Sequence, residues 1–216
     1  MQLILVRHAE PAESARGRCY GRLDLELSDR GRMQSERLAT QLSAEPVAAV
    51  ISSPRLRAFD TARAIAERHG LEVRVVDPLR ELDFGELEGC TYDEIAATRP
   101  ELYAQWMRTP TAVRFPGGES FDDLRRRVAG AVSRLREAYD GRLVLAVTHG
   151  GVVRAVLVDA LGIPAERIFR LAVDTASLTR IEWIEDVPIV RSVNVGPSSM
   201  FREHLSLAAL HEDLPT

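Results

Sequence analysis

The stretch "LILVRHAEP" at residues 3–11 passes directly from four apolar residues to Arg7 and His8. A short apolar run of this kind predicts a buried β-strand. The stretch "LVLAVTHGG" at residues 143–151 has the same form, with His149 after the apolar run and a segment of helical period behind it. In an open α/β sheet, ligands bind in the crevice beyond the carboxyl ends of the strands. We therefore expect the two histidines to face one pocket although they are far apart in the sequence.

The remainder of the chain alternates short apolar runs with longer segments of helical period. This alternation favours βαβ units around a mainly parallel sheet, and so the α/β class. Strands are predicted over residues 2–7, 46–52, 72–76 and 142–148, and the strand-like stretches 176–184 and 187–195 are compatible with a hairpin at the sheet edge. Helices are predicted from Ser28, from Pro54 to Gly70, after Thr91 with a break at Pro100, over 120–139 and over 151–161.

The chain has 216 residues, of which 45% are hydrophobic and 28% charged, and nothing divides it into halves. We predict a single domain over residues 1–216 and leave the packing of the tail from about residue 197 open. No apolar run approaches the roughly 20 residues of a membrane span, and the N-terminus shows no targeting segment. The net charge of −4 gives no general attraction to nucleic acid. We therefore expect a cytoplasmic protein with neither a membrane nor a nucleic acid as partner.

All 28 basic residues are arginine, because the sequence contains no lysine. An arginine next to any given residue therefore says little about a site. The run "RRR" at residues 125–127 is expected on a solvated helix face. The cysteines, Cys19 and Cys90, are too few for a disulfide framework or a metal cluster, so we expect two unpaired thiols.

Two further stretches place charged residues near strand ends. "SSPRLRAFDTA" at residues 52–62 puts Arg57 one turn into a predicted helix, and a guanidinium near a helix N-terminus suits an anion. "LRELDFGELEG" at residues 79–89 is acidic, and Glu81 is its first candidate for a proton donor to a leaving oxygen. The competing acids are Asp83, Glu86 and Glu88. A solvated acidic loop is the alternative interpretation of this stretch.

In their order and approximate spacing, "LVRHAEP", "SSPRLRAFDTA", "LRELDFGELEG" and "VTHGG" resemble the histidine phosphatase superfamily, the phosphoglycerate-mutase-like proteins, and "PGGES" at residues 116–120 fits the same pattern. The resemblance implies a three-layer α/β/α sandwich and phosphoryl transfer through a phosphohistidine. By match to the motifs, His8 would be the nucleophile and Glu81 the general acid that later becomes the base. The phosphate would be bound by Arg7, Arg57 and His149.

Elementary chemistry agrees with what the resemblance implies. A neutral imidazole is a competent nucleophile at pH 7, and its phosphoryl adduct divides one difficult displacement into two easier ones. Two arginines and a second histidine supply positive charge to the phosphoryl oxygens, so no metal or other cofactor is expected. Gly150 lets the backbone approach the phosphate, and a helix beginning there adds its positive end.

The stretch "GRCYGRLDLELSDRG" at residues 17–31 resembles the α-ribazole phosphatase branch, whose members remove the 5′-phosphate from a precursor of the lower cobalamin ligand. This resemblance implies a role in cobalamin biosynthesis, in which Tyr20 would stack on an aromatic base and Arg22 would contact the phosphate side. A loop that packs on its own scaffold is the alternative interpretation. A phosphatase of broad specificity remains a competing function.

Three other functions remain open. Phosphoglycerate mutases that resemble this chain generally carry a longer insertion in the region that is here 91–119, which favours a phosphatase acting on a small-molecule phosphate ester. A phosphate-sensing module would not need the nucleophile His8 and the acid Glu81, and both are present. A metallohydrolase is disfavoured because no close-spaced pair such as H-x-x-x-H occurs.

The apolar stretch 176–195 is compatible with pairing across the axis of a homodimer.

Overall fold

The computed structural model describes residues 1–196 of the chain, so the tail from about residue 197 lies outside the described residues. The strands are Gln2–Arg7 (β1), Val47–Ser52 (β2), Val73–Val75 (β3), Leu143–Thr148 (β4), Leu178–Ile184 (β5) and Val187–Val195 (β6). The helices are Asp29–Leu42 (α1), Leu56–His69 (α2), Tyr92–Thr98 (α3), Pro100–Arg108 (α4), Phe121–Ala138 (α5) and Gly150–Leu161 (α6). Within residues 1–196, no helix is both long and apolar enough to cross a membrane.

The six strands form one sheet in the order β3-β2-β4-β1-β5-β6. The first four strands of this order are parallel to one another, and β5 and β6 add an antiparallel hairpin. The predicted α/β fold and edge hairpin are confirmed. Arg7 pairs with Thr148 at the carboxyl ends of β1 and β4. The next residues of the two strands, His8 and His149, are consequently neighbours at one edge of the sheet.

Helices cover both faces of the sheet. Leu3 and Leu5 of β1 belong to a core shared with α5 and α6, whereas Ile4 and Val6 belong to a core shared with α1 and α2. Successive side chains of a strand point to opposite faces, so a strand covered on both faces is apolar throughout. This explains the unbroken run "LILV" and confirms the three-layer α/β/α arrangement.

The helix ends follow local signals that the sequence contains. The Ser28 hydroxyl accepts a hydrogen bond from the Gly31 N–H at 2.9 Å and begins α1. Thr91 with Glu94 and Ser120 with Asp123 form capping boxes at the starts of α3 and α5. The left-handed residues Gly70 (φ 62°) and Gly162 (φ 60°) end α2 and α6. These caps depend only on neighbours in the sequence, which is why they could be predicted.

A third, smaller core lies beside the sheet and carries α3 and α4. Its aromatic rings pack edge to face, with centroid separations of 5.1 Å for Trp106 and Phe115 and 5.0 Å for Phe84 and Phe115. Cys19 is buried in this core, and Cys19 and Cys90 are unpaired, as expected. This core supports the outer wall of the cavity described next.

Candidate active site

A cavity of about 210 Å³ opens at the carboxyl ends of β1 and β4. Of the predicted site residues, it is lined by Arg7, His8, Tyr20, Glu81 and Gly150. Arg57 and His149 are fully buried and lie directly behind His8, so they support the cavity wall without forming its surface. A larger groove between α1 and α2 contains none of the predicted site residues. The expectation that both histidines face one pocket is therefore met only in part: the two rings are neighbours at this end of the sheet, but of the two only His8 lines the cavity.

The imidazole of His8 is held in a single orientation. Its Nδ1 lies 2.7 Å from the carbonyl oxygen of Ala9, and its Nε2 lies 3.3 Å from Nε of Arg57. Because a carbonyl can only accept and a guanidinium can only donate, the hydrogen-bond pattern assigns the proton to Nδ1 and the lone pair to Nε2. Burial, together with the charges of Arg57 and Arg7, holds the pKa of His8 well below its ordinary value of 6.5. His8 is thus neutral at pH 7.

Arg57 connects the nucleophile candidate to the loop at residues 17–31. Its Nη1 donates to the carbonyl of Leu23 at 2.7 Å, and its Nη2 donates to that of Tyr20 at 2.9 Å. Its guanidinium also lies 5.1 Å from the centre of the Tyr20 ring. The sequence placed Arg57 one turn into its helix; because α2 begins at Leu56, Arg57 instead lies in the first turn.

His149 completes the buried group. Its ring centre lies 5.1 Å from that of His8, its Nδ1 lies 3.3 Å from Nη2 of Arg57, and its Nε2 lies 2.7 Å from the hydroxyl of Ser53. Since Arg57 only donates, Nδ1 accepts and the Nε2 proton is donated to Ser53. Burial, followed by the charge of Arg57, lowers the pKa of His149 well below 6.5. Ser53 stood next to a predicted helix start, but its contact with His149 could not be read from the sequence.

Glu81 lies over the first turn of α6. Its two carboxylate oxygens accept hydrogen bonds from the N–H groups of Leu82, at 2.8 Å, and Gly151, at 3.1 Å. A Cβ atom on Gly151 would lie only 2.3 Å from Oε1 of Glu81. The second glycine after His149 therefore makes room for this carboxylate. This contact ties the acidic loop to the strand end that carries the second histidine.

The competing acids are engaged elsewhere. Glu86 pairs with Arg99 at 2.5 Å, and Glu88 accepts the backbone N–H of Arg22 at 2.8 Å. Asp83 lies 3.7 Å from the guanidinium of Arg22, which is 57% exposed and does not line the cavity. The predicted contact of Arg22 with the phosphate side is therefore not supported, because this arginine pairs with an acid of the neighbouring loop. Of the four acids, Glu81 alone lines the cavity.

Arg127 holds the backbone on both sides of Glu81. Its guanidinium donates to the carbonyls of Pro78, Arg80 and Glu81 at 2.7, 2.7 and 2.9 Å. It also makes a two-pronged ion pair with Glu119 of "PGGES", at 2.8 and 2.7 Å. Burial is the largest single influence on the pKa of Glu119 and raises it, but the hydrogen bonds and charge of Arg127, the N–H of Asp83 and the charge of Arg80 together lower this pKa overall.

The expectation that "RRR" at residues 125–127 lies on a solvated face is correct for two of its members and wrong for the third. The side chains of Arg125 and Arg126 are 40% and 76% exposed, whereas that of Arg127 is 14% exposed. The local period of a helix does not reveal this difference, because the partners of Arg127 lie outside its helix, at Glu119 and in the distant loop at residues 78–81.

The cavity wall also contains residues that the sequence analysis missed. Arg154 lies four residues after Gly150, on the same face of α6, and this spacing was the available signal. The aromatic residues of the wall are Phe84, Tyr92, Trp106, Phe121 and Phe169. They come from separate loops and helices whose mutual placement has no signature in the sequence.

Among the described residues that line the cavity, no second side chain is as reactive a nucleophile as His8. Cys19 lines it, but burial raises the pKa of this thiol to about 12, so it stays protonated at pH 7. Within the part of the chain that the structure describes, no group of three or more His, Cys, Asp and Glu side chains is placed to hold a metal ion. The neutral imidazole of His8 is therefore the candidate nucleophile of the cavity wall.

Comparisons with known proteins agree with this geometry. A family model described as the histidine phosphatase superfamily (branch 1) matches residues 3–196. Phosphoserine phosphatase 1 of Hydrogenobacter thermophilus is 35% identical over 195 residues, which are 90% of this chain and 92% of that protein. The α-ribazole phosphatase structure from Shigella flexneri has a TM-score of 0.83 at 28% identity and covers 91% of this chain and 98% of its own. A mycobacterial glucosyl-3-phosphoglycerate phosphatase structure has a TM-score of 0.82 at 31% identity, with 90% and 99% covered.

Proposed function

Because the chain belongs to the histidine phosphatase superfamily, we propose that it hydrolyses small phosphomonoesters through a phosphohistidine formed at Nε2 of His8. Phosphoric monoester hydrolysis agrees with the family and with its phosphatase-named relatives, and the intermediate, the residue roles and the substrate are our proposal. One observation carries it. The Nδ1 proton of His8 is fixed on a carbonyl oxygen, so the lone pair is on Nε2, where it accepts the Nε–H of Arg57 at 3.3 Å until phosphorus replaces that contact.

In the first step, the Nε2 lone pair attacks phosphorus, and the bond from phosphorus to the ester oxygen breaks. Glu81 gives its carboxyl proton to the leaving oxygen, which departs as an alcohol. In the second step, a water molecule attacks the phosphorus of the phosphohistidine while Glu81 takes up the proton of that water. Inorganic phosphate leaves, and His8 regains its neutral imidazole.

Positive charge around the phosphoryl oxygens comes from the arginines. Nε of Arg7 is buried and, within residues 1–196, has no hydrogen-bond partner, so it is free to donate to a phosphoryl oxygen. The Nε–H of Arg57 points at Nε2 of His8 and is released to a phosphoryl oxygen once that nitrogen bonds phosphorus. Both ring nitrogens of His149 are hydrogen-bonded, Nδ1 to Arg57 and Nε2 to Ser53. His149 can therefore bind phosphate directly only if its Nε2–H leaves the Ser53 hydroxyl. In the structure described here it orients Arg57.

The cavity favours a small leaving group. Its volume of about 210 Å³ is below the roughly 300–1,000 Å³ typical of pockets for drug-sized ligands. By name, the three relatives act on phosphoserine, glucosyl-3-phosphoglycerate and α-ribazole phosphate, which agrees with a phosphorylated metabolite and leaves the size of the leaving group to be argued from the cavity. α-Ribazole 5′-phosphate is the second candidate, because Tyr20 presents its ring to the cavity and the α-ribazole phosphatase shares the fold. A cytoplasmic location and a homodimer stay predictions from the sequence.

The test is phosphate release, in the presence of a chelator, from O-phosphoserine, 3-phosphoglycerate, α-ribazole 5′-phosphate and p-nitrophenyl phosphate. We expect release by the wild type and an acid-labile phosphoenzyme after rapid quenching, with phosphorus on Nε2. His8→Ala should lose both, and His69→Gln, a histidine outside the cavity, should retain both. Unchanged release by His8→Ala would contradict the proposal, and conversion of 3-phosphoglycerate to its 2-isomer without phosphate release would identify a mutase.

A further inference from the structure

Arg154 has no place in the two steps described above, yet it lines the same cavity. Its Nε is buried and lacks a hydrogen-bond partner among residues 1–196. Its Nη2 reaches the carbonyl of Leu171 at 3.4 Å, which is a long hydrogen bond. Within the same residues, no carboxylate lies within 4 Å of its guanidinium. A partly buried cation with unused donors indicates that something else supplies the acceptor.

Arg154 and Arg7 converge on one point. A Cβ atom placed on Gly150 would lie 3.1 Å from Nη1 of Arg154 and 3.6 Å from Nε of Arg7. Burial lowers the pKa of Arg154 and the charge of Arg7 adds to this effect, whereas the charges of Glu81 and Asp174, which lie beyond ion-pair distance, oppose it. Two guanidinium groups meeting over a helix N-terminus repel each other and attract an anion. The first glycine after His149 therefore leaves room for two cations, as Gly151 leaves room for a carboxylate.

The anion at Arg154 is on the side of the leaving group. The imidazole of His8 contacts Arg57 and His149, so in the proposed reaction the transferred phosphoryl group lies on the Arg57 side of His8. Arg154 instead neighbours Gly150 and Phe169, and Glu81 covers the adjacent Gly151. Since Glu81 acts on the leaving oxygen, Arg154 faces atoms beyond that oxygen.

Phe169 gives Arg154 a fixed plane. The guanidinium carbon lies 5.0 Å from the centre of the Phe169 ring, which is within cation–π range. A guanidinium oriented in this way presents paired N–H donors whose spacing matches a carboxylate. The small cavity leaves little room for a bulky second group. A carboxylate is therefore the anion that fits the charge, the geometry and the volume.

We propose that Arg154 binds a carboxylate of the leaving group, beside the phosphoryl group that Arg7 contacts, so that the preferred substrates are phosphomonoesters of small hydroxy carboxylic acids. This inference rests on the proposed function, because it assumes that His8 and Glu81 define the reacting bond. It goes further by naming the chemical class of the leaving group. A neutral leaving group such as a sugar or a riboside would leave Arg154 without its partner.

A matched pair of substrates tests the proposal. 3-Phosphoglycerate and glycerol 3-phosphate have the same carbon number, and a carboxylate in the first replaces a hydroxymethyl group in the second. We expect the wild type to prefer 3-phosphoglycerate in kcat/KM by about tenfold or more. Arg154→Met should lower kcat/KM for 3-phosphoglycerate about 10- to 100-fold, the effect of losing a hydrogen bond between charged groups, and that for glycerol 3-phosphate less than about threefold. Arg154→Lys should recover part of the preference.

Arg134→Met is the matched control, because Arg134 is exposed on α5 away from the cavity, and it should leave both rates unchanged. Equal losses for both substrates in Arg154→Met would mean that Arg154 binds the phosphoryl group, and this would overturn the proposal. No loss for either substrate would overturn it as well. A wild type that forms the phosphoenzyme but shows no carboxylate preference refutes this inference and leaves the proposed function intact. A wild type that releases phosphate from no ester refutes the proposed function itself.

A second measurement needs no variant and so does not depend on the folding of one. Glycerate should inhibit hydrolysis of p-nitrophenyl phosphate by the wild type competitively, whereas glycerol at the same concentration should not. The carboxylate subsite predicts this difference because glycerate retains the group that Arg154 binds. Equal effects of the two compounds would contradict the carboxylate subsite.

Discussion

The inner and outer parts of the cavity are built in different ways. The inner part consists of His8, Arg57, His149 and Ser53, which are at most 1% exposed and lie at strand ends or in the first turn of α2. The nitrogens of both imidazoles are hydrogen-bonded within this group or to the adjacent backbone. The outer part consists of Glu81, Arg154 and the aromatic wall, which come from loops and separate helices. The fold itself therefore fixes the nucleophile, while loop packing fixes the leaving-group side.

This difference separates two tasks. The inner part is dry and fully connected, so it is suited to a reaction step that is the same for every ester. In the outer part, the buried Nε–H of Arg154 has no hydrogen-bond partner among residues 1–196. The position of Glu81 there depends on Arg127, which is held by its ion pair with Glu119. Loops positioned on a rigid scaffold are where specificity is set. Changes in the inner part should thus affect all substrates alike, and changes in the outer part should affect them unequally.

The largest effect is expected from His8→Gln. The side chain retains polarity but has no lone pair able to form a stable bond to phosphorus, so turnover should fall by roughly 10⁴-fold or more for every ester. Rates measured with O-phosphoserine and p-nitrophenyl phosphate should fall together. A loss confined to one substrate would show that the inner part also determines specificity, and the separation of tasks would fail.

Arg127→Met should produce a smaller and unequal loss. Its guanidinium fixes the carbonyls around Glu81, and a displacement of about 1 Å at the reacting groups costs on the order of 100-fold. Alkyl esters, whose leaving oxygen needs a proton, should lose most, and p-nitrophenyl phosphate should lose least. The adjacent and exposed Arg126→Met is the control. Arg127→Met leaves the Glu119 carboxylate without its ion-pair partner, and the double variant with Glu119→Gln removes that unpaired charge. If the rate with alkyl esters stays low in the double variant, the loss is due to displacement of Glu81 and not to misfolding.

Gly151→Ala should have a still smaller effect in the same direction. The added Cβ would meet Oε1 of Glu81 at 2.3 Å, and the flexible end of that side chain must move aside. We expect a roughly tenfold fall in kcat for alkyl esters with little change for p-nitrophenyl phosphate. Gly130→Ala, at a helical position where the nearest heavy atom to the new Cβ is 3.6 Å away, is the control. Equal falls for both kinds of ester would place the fault in phosphate binding rather than in proton transfer.

The sequence predicted the inner part better than the outer part, and the reason is physical. Parallel strands end at one edge of a sheet, so "VRH" and "VTHGG" had to meet once the strands were recognised. The caps at Ser28, Thr91 and Ser120 were predictable because each depends on residues three positions away. The inner part thus follows from topology and short-range signals.

The outer part depends on contacts between segments that are distant in sequence. Arg127 was assigned to a solvated face because its partners at residues 78–81 and 119 have no local relation to it. Arg154 was overlooked among 28 arginines that make any single one uninformative. Arg22 was placed at the phosphate because its loop conformation, which is set by Glu88 and Asp83, could not be derived from the sequence.

The smallest expected effect is on the stability of the fold, and it tests whether the imidazoles of the inner part are shielded from water. His8 and His149 stay neutral in the folded protein well below pH 6.5, because burial and nearby arginines lower both pKa values. In the unfolded chain they take up protons near pH 6.5, so below that pH the unfolded state binds more protons and the free energy of unfolding falls as the pH falls. The slope should approach about 1.4 kcal/mol per pH unit for each histidine.

Urea unfolding between pH 6.5 and 5.5 measures this slope before carboxylates contribute much. In His8→Gln, the free energy of unfolding should change less steeply with pH, by the contribution of one histidine. Above pH 7.5, where neither imidazole titrates, its pH dependence should match that of the wild type. Identical slopes below pH 6.5 would mean that His8 takes up a proton in the folded state. The imidazole of His8 would then be hydrated in the folded protein rather than held neutral in the cavity wall, and the inner part would differ from the outer part in position alone.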